Sequence, residues 1–190
     1  MTTLAPTLYN RAFPHTAFWL RDVILIVLGA LFVAALAQVK VLLPFTPVPL
    51  TGQTLAVLLI GATLGSTRGA ASMGLYIVLG TLGLPVFAGG ASGLTYLTGA
   101  TFGYLVGFVL AAYVIGLLAE RGLERSVRTS LFPFMLGTII IYACGVAWLA
   151  VVLGSFGQAV MAGVMPFLIG DAIKLVAAAV VLPAAWTQVK

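Results

Sequence analysis

Val164-Met165-Pro166-Phe167-Leu168-Ile169-Gly170-Asp171-Ala172-Ile173-Lys174-Leu175-Val176-Ala177-Ala178-Ala179-Val180-Val181-Leu182 is an apolar run interrupted by one acid and one base. Asp171 and Lys174 stand three residues apart. On a helix such positions share a face, so the two side chains meet each other or converge on one ligand. A charge at the centre of a bilayer costs roughly 2.5–3.5 kcal/mol on insertion scales, and ionised residues kept there face the bundle interior and mark a working site. The bland alternative is a mutual ion pair that fixes this helix among its neighbours. The two roles are compatible, since such a pair neutralises itself when no ligand is present.

Working outward, the whole chain has the same character. Of 190 residues 62% are hydrophobic and 7% charged, and the mean hydropathy is +1.21. Soluble domains carry about 25% charged residues, so this chain cannot cover a water-facing surface. Its uniform apolarity is also unlike the alternation of an outer-membrane barrel. The expectation is an all-α integral membrane protein of six spans, at residues 20–42, 52–65, 69–82, 97–119, 133–153 and 163–186. Residues 1–19 form a polar and aromatic arm ahead of a single membrane domain, 20–190, and lack the pattern of a cleaved signal peptide. Ser66-Thr67-Arg68 is read as the link between spans 2 and 3, and Pro133 as a residue of the first turn of span 5. Two stretches resist helix: residues 43–51, with Pro44, Pro47 and Pro49, and the glycine-rich residues 83–93.

Lysine and arginine set the orientation. With both termini in the cytoplasm, the inner segments hold Arg11, Arg21, Arg68, Arg121, Arg125, Arg128 and Lys190, and the outer ones hold only Lys40. Both irregular loops then lie outside, and the Asp171/Lys174 pair sits about 10–15 Å below the outer surface at about 1.5 Å per residue. Trp19 and Trp186 read as belt residues at the cytoplasmic interface. Small residues four apart let helices approach closely. Gly61, Gly65 and Gly69, and Gly99, Gly103 and Gly107, read as internal packing. Ala30 and Ala34 on span 1 read either as packing or as an outward stripe that docks another membrane protein.

Several function classes lose support. The chain has no phosphate-binding P-loop and no dinucleotide fingerprint, so transport energy must come from a gradient, a partner or downhill flow. The single histidine, His15, is in the arm, and Ser72, Ser92 and Ser155 have no evident base, so the chain is not expected to be an enzyme. One acid and one lysine make a thin proton relay, and no inverted repeat is visible. Lone Cys144 is a core residue.

Several segments together resemble one family. They are Thr46-Pro47-Val48-Pro49-Leu50-Thr51-Gly52-Gln53-Thr54, Gly83-Leu84-Pro85-Val86-Phe87-Ala88-Gly89-Gly90, residues 99–108, and Pro166-Phe167 followed by Gly170-Asp171-Ala172-Ile173-Lys174. In this order they are similar to BioY, the biotin-specific substrate-binding (S) component of energy-coupling-factor (ECF) transporters. The chain departs at Gly99-Ala100-Thr101-Phe102-Gly103-Tyr104, where the family usually reads Gly-Pro-Thr-Gly-Gly-Tyr. Phe102 thus puts a ring where the family has no side chain.

The resemblance implies a six-helix S component in a prokaryotic cell membrane, with a pocket open to the outside and lidded by the two irregular loops. It also implies a coupling transmembrane protein, driven by two cytosolic ATPases and docking at Ala30 and Ala34. No cofactor and no nucleic acid are implied. Solitary uptake, or an S component for another vitamin, remain the alternatives. Biotin carries a ureido group with two donors and one acceptor, a thioether ring, an aliphatic chain and a carboxylate. Asp171 and Lys174 are its expected polar contacts. Gln53 can donate and accept, Thr51 reads as an N-cap of span 2 and a contact beyond it, and Tyr96, Thr101 and Tyr104 offer hydroxyls or ring faces. Phe87 and Phe167 are expected walls, while Gly89 and Gly90 let loop backbone approach the ligand.

Overall fold

Eight helices carry almost all regular structure among residues 3–187, which the structure, a computed structural model, describes. They are α1 (Leu4–Ala12), α2 (Phe18–Ala37), α3 (Gln53–Leu64), α4 (Ser66–Thr81), α5 (Phe102–Ala119), α6 (Val127–Leu153), α7 (Phe156–Gly163) and α8 (Leu168–Thr187). Four of these, α2, α5, α6 and α8, are long and apolar enough to cross a membrane. Helix α3 is equally apolar but shorter. A two-stranded antiparallel ladder joins β1 (Lys40–Val41) to β2 (Leu50–Thr51), pairing Lys40 with Thr51 and so closing the proline loop at its base.

Helix α5 is the central post. It packs against α3, α4 and α6, and its glycines set the approach. A Cβ on Gly107 would lie 2.9 Å from the Ile141 backbone of α6, and one on Gly61 of α3 would lie 2.9 Å from the Ala112 carbonyl of α5. Both glycine ribbons therefore serve internal packing, as their spacing predicts. Gly99 is the exception: it precedes α5, and its carbonyl accepts the indole N–H of Trp148 at 2.9 Å.

Several boundaries differ from the sequence reading, each for a local reason. Ser66-Thr67-Arg68 is not a linker, because α4 starts at Ser66 and one residue, Gly65 at φ 88°, turns the corner from α3. The Glu120 carboxylate makes that corner tolerable: it accepts both the Ser66 amide and the Ser66 hydroxyl at 2.8 Å. Pro133 lies inside α6 rather than in its first turn, since Ser126 caps the helix by accepting the Thr129 amide. The helix of the expected sixth span begins at Leu168 and not at Gly163, because residues 164–167 form a turn in which Pro166 disfavours helix at the residue before it. The arm is not free of the bundle: Leu4 and Pro6 of α1 are buried and the helix packs on α3.

The α2 stripe requires a correction. Ala30 and Ala34 are 1% and 8% exposed and face the bundle, so they do not form an outward docking surface. Their small size lets α2 close onto α3 and α4, leaving Val23, Val27 and Leu31 on the exposed side.

The end of the bundle that bears the arm is where most of the charge collects. Arg21 and Arg68 both pair with Asp22 at 2.8 Å, and Arg21 also reaches Asn10 of α1 at 3.2 Å. Glu124, in a 3-10 turn between α5 and α6, is 1% exposed and neither carboxylate oxygen has a hydrogen-bond partner among the described residues. Arg125 lies 3.7 Å from it and stacks 4.6 Å over Trp186. Trp186 is thus partly covered by protein, whereas Trp19 is 69% exposed. Lys190, counted in the charge asymmetry, lies outside the described residues.

Candidate ligand pocket

Asp171 enters the bundle in the first turn of α8 and is 6% exposed. Its Oδ1 accepts the Lys174 ammonium at 2.8 Å and the Thr54 hydroxyl at 3.0 Å, and its Oδ2 accepts the Tyr142 hydroxyl at 2.6 Å. Four side chains from α3, α6 and α8 thus form one network. Lys174 completes it by donating to the Thr51 carbonyl at 2.7 Å and to the Thr54 oxygen at 2.9 Å. All three ammonium donors are then in use, while a carboxylate with about four acceptor positions has three filled. The pair is locked as an ion pair yet keeps one acceptor position for an incoming N–H.

A cavity opens beside this network, enclosing about 520 Å³ of space with its mouth included. Leu105, Phe108, Ile141 and Phe167 give it apolar walls, and Thr51, Gln53, Thr54, Tyr142, Asp171 and Lys174 give it a polar floor. Tyr96, Thr101 and Tyr104 complete the lining with Val48 and Pro49 from the proline loop. The Tyr104 hydroxyl donates to the Gly163 carbonyl at 2.8 Å, which pins the turn before α8.

Gln53 is more than a helix-end residue. Its amide N–H donates to the Tyr76 hydroxyl at 2.8 Å, and its carbonyl oxygen accepts the Thr51 hydroxyl at 2.9 Å. That hydroxyl in turn accepts the Gln53 backbone N–H at 3.3 Å, so Thr51 caps α3 from just outside it. Eight expected residues therefore converge on one cavity: Thr51, Gln53, Tyr96, Thr101, Tyr104, Phe167, Asp171 and Lys174.

Three expected residues do not line it. Phe87 is fully buried behind Tyr96, stacked on that ring at 4.5 Å and 16° and edge-on to Tyr76 at 5.5 Å. It supports the cavity wall instead of forming it. Gly89 lies under the Lys40 side chain, and Gly90 lines a separate outer cleft. Phe102 also stays out of the cavity and packs edge-on against Trp148 at 5.1 Å.

Tyr142, Thr54 and Tyr76 are not among the site residues expected from the sequence. For Tyr142 a signal exists: a hydroxyl in the middle of Ile139-Ile140-Ile141-Tyr142-Ala143 must find a partner once buried. Nothing in the chain order says that the partner is Asp171.

The fold and this pocket define an all-α membrane protein with a partly polar cavity between its helices. Residues 7–190 match the BioY family, and the chain belongs to it. A protein described as "Biotin transporter BioY" from Rhizobium etli is 38% identical over 167 residues, covering 84% of this chain and 89% of that one. Another of the same description from Thermotoga maritima is 42% identical over 139 residues, covering 73% and 81%. The fold is similar, with a TM-score of 0.81 and 24% identity, to a crystal structure of the S-component for biotin from an ECF-type ABC transporter, covering 89% of this chain and 92% of that one. These relatives are transporters, in line with the expectation that the chain is not an enzyme.

Proposed function

We propose that this chain is the biotin-binding S component of an ECF-type uptake transporter in a prokaryotic cell membrane. The observation that carries the reading is Asp171: a buried carboxylate with an open acceptor position, beside a cavity that joins polar groups to apolar walls. A ureido N–H fits that position, and Lys174 can turn from the Thr51 carbonyl to the ureido oxygen. Charge-assisted bonds of this kind contribute roughly 1.5–3 kcal/mol each. Phe167, Phe108 and Ile141 suit the thioether ring and the chain.

In this reading α2, α3, α4, α5, α6 and α8 are the six spans and both termini are cytoplasmic, in keeping with the Lys/Arg asymmetry. The proline loop and the residue 83–93 loop lie over the pocket from outside. The proline loop is held by the Thr46 hydroxyl donating to the Ala162 carbonyl at 2.7 Å, and the glycine loop by the Gly89 amide donating to the Ala37 carbonyl at 3.1 Å. A coupling transmembrane protein with two cytosolic ATPases would drive release inward. Its docking face must be sought on the exposed side of α2 rather than on Ala30 and Ala34.

Titration calorimetry on the detergent-purified protein tests this. Biotin is expected to bind one-to-one, and thiamine and riboflavin not at all. Tight binding of another vitamin with none of biotin would overturn the assignment.

A further inference from the structure

Among the described residues Lys40 is a cation without an anion. It stands across the β1–β2 ladder from Thr51, the residue whose carbonyl accepts Lys174. Its ammonium makes one long hydrogen bond, to the Ala88 carbonyl at 3.4 Å, and its side chain is exposed. The chain contains four acidic residues, and none is placed to pair with it. Asp22, Glu120 and Glu124 lie at the far end of the bundle, and Asp171 is held by Lys174, Thr54 and Tyr142.

Lys40 also lines a second cleft, of about 1090 Å³ including its opening, together with the hydroxyl-bearing Ser92 and Thr95. The two spaces are adjoining: Pro49, Tyr96 and Thr101 line both. A solute whose polar head sits at Asp171 and whose tail is longer than the inner cavity must pass this threshold. The tail then emerges at a cation and two hydroxyls.

We propose that the outer cleft is a carboxylate subsite, with Lys40 holding the acidic tail of the solute whose head is bound at Asp171 and Lys174. The proposal rests on the biotin reading, and it explains how a neutral head and an anionic tail are accommodated by one chain. Discrimination against a solute lacking the acid then resides in a loop residue, not in the pocket floor.

The test compares biotin with its neutral carboxamide by calorimetry, on wild-type protein and on Lys40→Gln and Lys40→Arg. Wild type is expected to prefer the acid by about tenfold, the size of one charge-assisted bond. In Lys40→Gln the ratio of the two affinities should fall close to one, and Lys40→Arg should restore most of it. A preference kept in Lys40→Gln, or absent from wild type, overturns the subsite while the biotin reading stands. Wild type that binds neither compound overturns both.

Discussion

At the pocket end of the bundle one carboxylate gathers a lysine and two hydroxyls around an open cavity, whereas at the opposite end carboxylates and arginines pair with little space between them. Asp171 keeps an acceptor position unfilled. Asp22 instead sits between Arg21 and Arg68 and ties α2, α4 and, through Asn10, the arm. Both arrangements pair a carboxylate with a base, but the Asp171 network lines the inner cavity while the Asp22 network joins helices to each other. A buried charge is therefore not evidence of a site until a void is found beside it.

The comparison can be broken most directly at Asp171. Asp171→Asn removes the anion while keeping the shape, and it leaves the half-buried Lys174 without a counter-ion. Biotin affinity is expected to fall at least about tenfold, given charged hydrogen bonds of roughly 1.5–3 kcal/mol. Calorimetry on the folded variant checks it, and unchanged affinity would remove the residue from the site. Tyr142→Phe is milder, deleting a single 2.6 Å bond to the same carboxylate. A loss of about three- to tenfold is expected, from roughly 1 kcal/mol for an ordinary hydrogen bond, with no effect on complex formation with a coupling protein.

The smallest effect on binding belongs to the other end, and there pH is the informative variable. Burial raises the Glu124 carboxyl above its ordinary range. The folded chain therefore holds that proton more tightly than the unfolded one. Its destabilising effect grows as pH rises from the ordinary carboxylate range through the raised value, and vanishes below that range. Glu124→Gln should accordingly melt higher than wild type at pH 8, with the gap closing as pH falls towards 4, and should leave biotin affinity within about twofold. Thermal melts across pH read this out. A gap independent of pH would mean that Glu124 holds its proton equally well in the folded and unfolded chain, so that burial does not shift it.

Much of this was legible in the chain. Six apolar stretches, two loop breakers and the Asp171/Lys174 spacing suffice to place the long helices and one side of the pocket, because burial and periodicity are local properties of sequence. Contacts across elements were not legible. That Gln53 lies against Tyr76, that Tyr142 completes Asp171, and that Phe87 retires behind Tyr96 all depend on how helices dock. The Ala30/Ala34 stripe illustrates the limit well: four-residue spacing indicates close approach, but not whether the partner is the chain's own helix or another protein. Position 65 failed differently. One glycine with positive φ, supported by a carboxylate 55 residues further on, replaced a three-residue link.

That corner has a mechanical result. Helix α3 has 12 residues, about 18 Å at 1.5 Å per residue, against roughly 30 Å of hydrocarbon in an average bilayer. Thr3 of the arm lies against the Gly65 corner. No residue of α3 is exposed, and α2, α4, α5 and α8 surround it. A helix ringed by protein in this way need not match the hydrocarbon thickness, because its neighbours and not it meet the lipid.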